Sequence, residues 1–420
     1  MQHKVSKMAE TLIGSEIIKI SGEINKKIAE GATIHNMTIG DFNPTIFPIP
    51  DLLQDEIIRA YQENHTNYPP ADGILPLRKA VSDLIWDKQN LTYSEEEILI
   101  GGGARPLIYS AYSTIVDPGD KVIFPVPSWN NNHYCHISGA EAVMIATRAE
   151  QNFMPVAGDL ESHISEAVLL ALCSPLNPTG TMFTKAQLSG ICSLVLEENK
   201  KREGLGSKPL YILYDQIYSL LCLGDKEHVD PVSLFPELKP YTIFVDGTSK
   251  SFAATGVRVG WGFGPKDIIA KMKSIMGHVG AWAPKAEQVA TSRFLENKTA
   301  LNTFLDTMRL KAKDRLDLFY NGFKAMQEKG LPVNAIAPEG AIYLSVQFQL
   351  LNKSYKGQKI YTTQEITTLL MQEAHFAIVP FTAFGNEPGT DWFRISVGTC
   401  TTEQIPHILQ DIERLLENID

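Results

Sequence analysis

The stretch YTIFVDGTSKSFAATGVRVGWGFG, residues 241–264, consists of two apolar runs separated by a loop of small residues. The first run is typical of a buried strand, and the second opens at Arg258. Lys250 lies in the loop, where neighbours such as Gly247 and Ser249 leave little room for a solvated side chain. Most lysines are surface charges, because burial of an ammonium group is costly. Here the surroundings predict a lysine that is held in place.

A partly desolvated lysine is the group that forms a Schiff base with an aldehyde, because desolvation favours its neutral, nucleophilic amine. Arg258 follows Lys250 by eight residues and carries a planar guanidinium suited to phosphate. A ligand that offers both an aldehyde and a phosphate is pyridoxal 5'-phosphate. The stretch therefore predicts a site for this coenzyme, with Lys250 as its covalent attachment point.

Five further stretches follow one another along the chain: NYPPADG around Tyr68, GGGARP at 101–106, SPLNPTG at 174–180, YDQIY at 214–218 and FRISVG at 393–398. Together with SKSFAATGVRVG, this set resembles the motifs of the class I/II aminotransferases of fold type I. The likeness covers nearly the whole chain. It extends to the bacterial aspartate aminotransferase-like branch, which also carries glycine three residues before the lysine. The joint order and spacing are far more specific than any single motif.

Length and composition limit the classes of protein to consider. The chain has 420 residues, enough for two domains, with 44% hydrophobic and 20% charged residues, as is usual for a globular protein. Its net charge of −10 argues against a nucleic-acid partner, for which a basic face is expected. Residues 1–20 lack the apolar core of a signal peptide, and no apolar run reaches the roughly 18 residues that cross a bilayer. We therefore expect a cytoplasmic protein without a membrane partner.

Histidine and cysteine spacings do not indicate a metal. His133 and His136 are separated like ligands on a helix, but no further ligand pattern supports zinc. The five cysteines form no CxxC pair. We expect neither a metal site nor disulfide bonds.

From about residue 97 the sequence alternates short apolar strands with helical segments. This pattern predicts crossover connections and a mostly parallel sheet. The resemblance implies an α/β fold with seven strands flanked by helices and a smaller α/β domain, the fold type I of pyridoxal phosphate-dependent transferases. We expect a large coenzyme-binding domain over 49–299 and a small domain formed by an N-terminal arm, 1–48, together with 300–420. The charged segment 197–209 is predicted to be an exposed loop.

Groups suited to ligand binding follow these strands directly: the GGGARP turn, Trp129, Asn177, Asp215 and Lys250. Because ligands gather at the carboxyl ends of parallel strands, we expect one site at this edge of the sheet. The GGGARP turn lies between a strand and a helix, where glycines let the backbone approach an anion and the first helical amides point at it. This turn and Arg258 are together expected to hold the phosphate.

Two charged residues lie in strongly apolar strands, where an unpaired charge is costly. Asp215 closes the run LYILYD, and its natural partner is a protonated pyridine nitrogen, which lets the ring accept electrons from the substrate. Arg394 lies between Phe393 and Ile395, and its forked guanidinium suits the α-carboxylate of a substrate. The alternative for Arg394 is an internal salt bridge to an aspartate or glutamate.

The resemblance assigns roles to the remaining residues. It implies these coenzyme contacts: Gly103, Ala104 and Arg105 in the phosphate turn, Trp129 against the ring, Asn177, Asp215, Tyr218, Ser249, Lys250, Arg258, and Tyr68 of the partner subunit. Lys250, Asp215 and Tyr218 are the expected catalytic residues. Gly40, Trp129, Asn177 and Arg394 are the expected substrate contacts. A tyrosine shared between subunits implies a homodimer with shared active sites. Local packing is the alternative for Tyr68, Trp129 and Tyr218, and an ordinary proline-rich turn is the alternative for Asn177.

The resemblance also implies the reaction, in which the amino group of an L-amino acid passes to a 2-oxo acid through alternating pyridoxal and pyridoxamine phosphate forms. Aspartate and 2-oxoglutarate are the first expectation. Classical aspartate enzymes read the distal carboxylate with an arginine of the partner, but the corresponding stretch 277–288 has none. Related bacterial enzymes use a lysine where this chain has Ala104. Arg105 and Lys285 are the candidate replacements for this cation. Trp282 and the missing arginine leave aromatic or other neutral amino acids as alternative donors.

Two other classes of function stay open. The same coenzyme site also supports β-elimination, which would make the protein a carbon–sulfur lyase. The fold is used by non-catalytic regulators as well, but these usually carry a DNA-binding arm, and the amino-terminal segment here is too short for one.

Overall fold

The computed structural model describes residues 4–14 and 16–420. Its strands are, in chain order, β1 (His35–Asn36), β2 (Ile98–Gly101), β3 (Lys121–Val126), β4 (Glu141–Ala146), β5 (Ala167–Cys173), β6 (Tyr211–Asp215), β7 (Thr242–Gly247), β8 (Gly260–Phe263), β9 (Val333–Ala335), β10 (Tyr343–Phe348), β11 (Ser354–Tyr355), β12 (Gln358–Lys359), β13 (Phe376–Ala377), β14 (Val379–Pro380) and β15 (Trp392–Ser396).

The helices are, in chain order, α1 (Lys7–Thr11), α2 (Glu16–Ala29), α3 (Asp51–Gln62), α4 (Leu75–Gln89), α5 (Ala104–Ile115), α6 (Asn131–Ser138), α7 (Ala157–Leu160), α8 (Lys185–Leu205), α9 (Pro231–Leu234), α10 (Thr248–Ser251), α11 (Lys266–Val279), α12 (Lys285–Glu296), α13 (Lys298–Glu328), α14 (Thr363–Glu373) and α15 (Gln404–Leu416). In the part of the chain that the structure describes, none of these helices has the length and apolar content to span a membrane.

The main sheet has seven strands in the order β2-β8-β7-β6-β5-β3-β4. Strands β4, β3, β5, β6 and β7, which are neighbours in this order, run parallel to one another. Strand β8 is antiparallel to both of its neighbours, β7 and β2. The prediction of a mostly parallel seven-stranded sheet is confirmed. Its central strands are buried along nearly their whole length, because helices cover both faces. One face packs on α4, α8 and α12, and the other on α5 and α11.

The reversed direction of β8 positions part of the site. Gly247, the last residue of β7, pairs with Gly260, the first residue of β8. The segment between them therefore begins and ends at the same edge of the sheet. This segment contains both Lys250 and Arg258, so the lysine and the arginine are brought to the edge where the parallel strands end.

A second core surrounds a four-stranded antiparallel sheet, ordered β14-β15-β10-β9. Helices α13, α14 and α15 pack on it through side chains such as Phe319, Ile366 and Ile405. Strand β1, near the amino end, pairs in parallel with β13, and Met37, Phe42 and Phe47 belong to the same core. The amino-terminal segment thus packs with the carboxyl-terminal part of the chain. The domain boundaries at 48/49 and 299/300 stay a prediction.

The expectation of a loop over 197–209 is wrong for most of that segment, because helix α8 continues to Leu205. Arg202 is buried, and its Nε donates to Glu198 Oε1 at 2.8 Å while its Nη2 donates to the carbonyl of Ile164 at 2.9 Å. These charges therefore pair inside the protein and fix the end of the helix. The helix stops at Gly206, whose φ of 64° is the left-handed conformation that glycine favours.

Candidate active site

A cavity of about 810 Å³ lies at the carboxyl edge of the main sheet, between this sheet and the second core. All predicted site residues line it except Gly103 and Tyr68. Residues of helix α2 and Tyr343, which the sequence did not indicate, line it as well. The structure therefore brings the strand-end groups and Arg394 into one enclosed space.

Lys250 lies on helix α10, directly after β7, and its Nζ donates a hydrogen bond to the carbonyl of Gly40. The exposed part of its side chain faces the cavity. Burial lowers the pKa of Lys250 to about 8, the carboxylate of Asp41 opposes this shift, and nearby arginines add to it. These arginines are Arg394, Arg105 and Arg258. An amine with this pKa is available as a nucleophile and a base near neutral pH.

Asp215 is the last residue of β6, and its carboxylate faces the cavity. Its Oδ1 accepts a hydrogen bond from the backbone N–H of Ile217 at 3.1 Å. No described lysine or arginine forms an ion pair with it. Burial raises the pKa of Asp215 to about 6. A carboxylate in this state fits a cationic nitrogen in the cavity, because the ion pair would compensate its lost hydration.

The turn between β2 and α5 has the geometry of an anion cradle. Gly103 precedes the helix with a φ of 97°, and the free amides of the first helical turn start at Ala104. The guanidinium of Arg258 donates to the carbonyls of Gly102 and Thr255, both at 2.8 Å. A Cβ atom added at Gly103 would lie 2.3 Å from Arg258 Nη2, so only glycine lets the arginine approach this turn.

Arg394 is buried in β15, with an exposed fraction of 1%. Its Nη1 donates to Asn177 Oδ1 at 3.0 Å and its Nη2 donates to the carbonyl of Thr38. Its Nε has no hydrogen-bond partner within the described ranges. The internal salt bridge considered for Arg394 is not found there, because its partners are uncharged. A buried guanidinium with uncharged partners indicates that a carboxylate is supplied by a ligand.

Two buried tyrosines meet beside Arg394. The hydroxyl groups of Tyr218 and Tyr343 form a hydrogen bond of 2.6 Å. Burial raises the pKa of both hydroxyls, so both stay protonated at neutral pH. The Tyr343 ring also packs 4.7 Å from the Arg394 guanidinium carbon, and its hydroxyl lies so near Gly40 that a Cβ there would be 2.7 Å away. Tyr343 therefore connects the predicted Tyr218, Arg394 and Gly40.

Trp129 and Ser249 also line the cavity, as predicted. The Trp129 ring packs against Phe384, with centroids 6.5 Å apart, and the guanidinium carbon of Arg105 lies 5.3 Å from its centroid. Ser249 is buried on α10, next to Lys250. The role of Trp129 as a surface for the coenzyme ring stays a prediction.

Tyr68 lies outside the cavity of its own chain. Its side chain is 82% exposed and packs edge-on against Trp282 at 5.4 Å. Lys285, at the start of α12, donates to Asn67 Oδ1 at 2.6 Å and does not line the cavity either. The patch formed by Tyr68, Trp282, Asn67 and Lys285 is the Tyr68 surface, and none of these four residues lines the cavity of its own chain.

The sequence did not indicate Tyr343 or the contribution of α2, which lines the cavity with Ile17, Ile18 and Asn25. Tyr343 lies in β10, whose register pairs Ser345 with Arg394. Side chains two residues apart on a strand share a face, so Tyr343 is on the face of Arg394. Only the strand pairing shows this, because nothing in the local sequence links residues 343 and 394.

Known proteins similar to this chain are aminotransferases. A family model described as aminotransferase class I and II matches residues 33–412. The aspartate aminotransferase of Bacillus sp. (strain YM-2) is 29% identical over 426 residues, covering 100% of this chain and 99% of the relative. The aspartate aminotransferase structure from Rhizobium meliloti has a TM-score of 0.90 and 27% identity, covering 100% of both chains. That of Thermus thermophilus with maleate has a TM-score of 0.87 and 25% identity, covering 99% of this chain and 100% of that chain.

Proposed function

The chain belongs to the class I and II aminotransferases, and we propose that it transfers the amino group of an L-amino acid, with aspartate as first donor, to a 2-oxo acid such as 2-oxoglutarate. One observation carries this proposal. Lys250, Asp215 and Arg394 line the same cavity, and none of them is paired with an opposite charge among the described residues. Because uncompensated charges are costly in a protein interior, the three indicate a ligand that brings their partners.

Enzymes of this family depend on pyridoxal 5'-phosphate, and the cavity fits it. Lys250 would hold the aldehyde carbon, Asp215 the ring nitrogen, and the Gly103 turn with Arg258 the phosphate. When bound, the coenzyme supplies an aldehyde that takes up the amino group and a protonated ring that accepts the electrons released at the substrate Cα. The further contacts in this proposal are Ala104, Trp129, Asn177, Tyr218 and Ser249.

The cavity residues have different roles in the proposed reaction. The Arg394 guanidinium binds the substrate α-carboxylate through paired hydrogen bonds and so orients Cα. The Lys250 amine would take the proton from the substrate Cα and deliver it to the carbon that carried the aldehyde, and its lowered pKa makes the neutral base available. The Asp215 carboxylate keeps the ring nitrogen protonated. The hydroxyl of Tyr218 and the amide of Asn177 would donate to the phenolic oxygen of the coenzyme ring.

The second candidate donor is a neutral or aromatic amino acid. One observation favours it, since Ile17, Ile18, Ile108 and Trp129 give part of the cavity an apolar lining. Such a surface suits an uncharged side chain, whereas a dicarboxylic donor requires a cation near its distal carboxylate.

A homodimer with shared active sites is part of the same proposal. The Tyr68 side chain is exposed and outside its own cavity, and nearby segments expose Tyr61 and Val279. Exposed apolar side chains that cluster on one surface are typical of an interface between protein chains. In a symmetric dimer this surface would meet its own copy, and Tyr68 would reach the phosphate of the other subunit.

Steady-state transamination with a panel of donors tests the proposal. The purified protein, loaded with pyridoxal phosphate, is given 2-oxoglutarate with aspartate, glutamate, leucine or phenylalanine in turn. We expect glutamate to form fastest with aspartate, and the coenzyme absorbance to shift to that of the amino form when a donor is added. Release of pyruvate and ammonia would instead identify a carbon–sulfur lyase. Absence of any spectral change with every donor would identify a non-catalytic regulator.

A further inference from the structure

The Arg105 side chain is a cation of the cavity that the proposed cycle leaves without a partner. It occupies the second position of α5, lines the cavity and is exposed to it. Within the described ranges its guanidinium forms neither an ion pair nor a side-chain hydrogen bond. Its position is nevertheless defined, because its guanidinium carbon lies 5.3 Å from the centroid of the Trp129 ring. Packing on an aromatic ring leaves the N–H groups of a guanidinium available to a carboxylate.

The other charged side chains of the cavity already have partners. Its other cations, Lys250, Arg258 and Arg394, already have partners in the proposed cycle: the aldehyde, the phosphate and the α-carboxylate. Of its two acids, Asp215 is assigned to the ring nitrogen. Asp41 accepts hydrogen bonds from Thr255 Oγ1 and its neighbouring backbone N–H. Among the described lining residues, Arg105 is therefore the cation to which the proposed cycle assigns no ligand group.

Arg105 and Arg394 are connected through one pair of aromatic rings. Phe384 and Trp129 form one aromatic pair, with centroids 6.5 Å apart. The Arg394 guanidinium carbon lies 4.9 Å from the Phe384 centroid, and that of Arg105 lies over Trp129. The two guanidinium groups thus rest on the two rings of a single aromatic pair, and both line the same cavity.

The structure also distinguishes Arg105 from Lys285, the other cation that the sequence offers for the distal carboxylate. Lys285 Nζ donates to Asn67 Oδ1 and lies outside the cavity of its own chain. Ala104, the residue before Arg105, lines the cavity but brings no charge. Within one chain, only Arg105 of these three residues presents a cation to the cavity.

We propose that the Arg105 guanidinium binds the distal carboxylate of a dicarboxylic amino acid and thereby determines donor specificity. This inference rests on the proposed transamination and deepens it. It assigns aspartate or glutamate to the cavity in place of a neutral donor, because a cation left unpaired beside an apolar side chain would lose its hydration without compensation.

Equilibrium binding to the coenzyme-loaded protein tests this role without turnover. Two probes are compared by calorimetry: maleate, which has two carboxylates, and butyrate, which has one and the same number of carbons. Arg105→Gln should weaken maleate binding roughly 10-fold to 100-fold, the range for a hydrogen bond to a charged group, and leave butyrate binding unchanged. Lys285→Gln tests the other cation, which lies beside Tyr68, and should change neither. Arg414→Gln, in an exposed ion pair outside the cavity, is the matched control and should also change neither. In turnover, Arg105→Gln should lower kcat/KM for aspartate by a similar factor and not for leucine.

Two results would overturn the assignment of Arg105. In the first, Arg105→Gln weakens maleate and butyrate equally or leaves both unchanged. In the second, it loosens the coenzyme while the preference for maleate persists, which would make the phosphate its partner. Failure of the proposed function looks different, because the wild-type protein would then transaminate no donor, whereas the binding comparison would still report on Arg105.

Discussion

The cavity has two sides that the chain builds in different ways. The sheet side consists of the turn at 101–106, Asp215 and Lys250, each of which follows a strand of the main sheet. The small-core side consists of Arg394, Tyr343 and Gly40 and joins segments from opposite ends of the chain: Arg394 donates to the carbonyl of Thr38, 356 residues earlier. Backbone geometry thus places the groups for coenzyme chemistry, whereas substrate recognition depends on how distant segments pack.

The largest effect is expected on the sheet side. Lys250→Ala removes the proposed attachment point and the base, and it should lower kcat at least about 10⁴-fold, because both proton transfer and covalent capture are lost. Rapid-quench or steady-state assays with aspartate measure this loss. Lys329→Ala, which removes an exposed lysine paired with Glu413 outside the cavity, should retain near-native kcat. A Lys250→Ala protein within tenfold of the wild type would show that the sheet side does not carry the chemistry.

On the small-core side, Arg394→Lys should act on substrate binding. A point charge replaces the forked guanidinium, so kcat/KM for amino acids should fall roughly 30-fold to 1,000-fold. Coenzyme affinity should change little, since the two sides hold different ligands. The control is Arg315→Lys, because Arg315 is buried in the second core and donates to backbone carbonyls away from the cavity. Equal kinetic losses in both variants would attribute the effect to packing.

The charge of Asp215 should be visible in the stability of the coenzyme-free protein. Its pKa is raised from 3.8 to about 6, so the folded state is penalised as pH rises through this range and is not penalised below it. Asp215→Asn should therefore raise the free energy of unfolding by up to about 3 kcal/mol at pH 8 and by almost nothing at pH 4. Urea unfolding at both pH values measures this. Asp225→Asn, at an exposed position, is the control. An equal gain in the free energy of unfolding at both pH values would show that the ionised carboxylate of Asp215 is not the cause.

A third region, the Tyr68 surface, is tested by mixing variants. Tyr68→Ala should weaken coenzyme binding about tenfold, as expected for a hydrogen bond to a charged phosphate. If Tyr68 serves the other subunit, hybrids of Tyr68→Ala and Lys250→Ala chains regain one intact site per dimer. Activity should then rise well above that of either variant alone. No recovery in hybrids whose formation is verified would mean that Tyr68 acts within its own chain or not at all.

The smallest effect is expected from the bond between the two tyrosines. Tyr343→Phe removes the hydroxyl that lies 2.6 Å from Tyr218, and it should lower kcat about threefold to tenfold, the value of one hydrogen bond. It should also shift the pH dependence of the coenzyme absorbance, because Tyr218 would lose its partner. Tyr355→Phe removes a hydroxyl bonded to Glu373 at the surface and should change neither quantity. If Tyr343→Phe leaves the pH dependence of the coenzyme absorbance unchanged, the Tyr343 hydroxyl does not influence Tyr218.

The contrast between the two sides also explains what the sequence could show. Asp215 and Lys250 were predictable because Asp215 ends an apolar strand and Lys250 follows one, and parallel strands end at a common edge. Arg394 was predictable because a cation in an apolar strand needs a partner. Tyr343 was not, because its contact with Arg394 depends on the register between β10 and β15. The contribution of helix α2 to the cavity was not predictable, because the sequence of an amphipathic helix does not show which surface it covers.

The error over 197–209 has a related cause. Charged residues and glycine are typical of exposed loops, and the segment contains both. Glu198 and Arg202 are one helical turn apart, and their side chains pair inside the protein, so the same composition belongs to a buried helix end. Composition reports the cost of burying a charge but not whether a partner is present to offset it.

The account depends most on the covalent role of Lys250, and one measurement tests it directly. The protein is loaded with pyridoxal 5'-phosphate, treated with borohydride, digested and mapped by mass spectrometry. We predict a single reduced adduct on the peptide that contains Lys250, and its absence in Lys250→Ala. An adduct on another lysine, or no adduct at all, would contradict the proposed site.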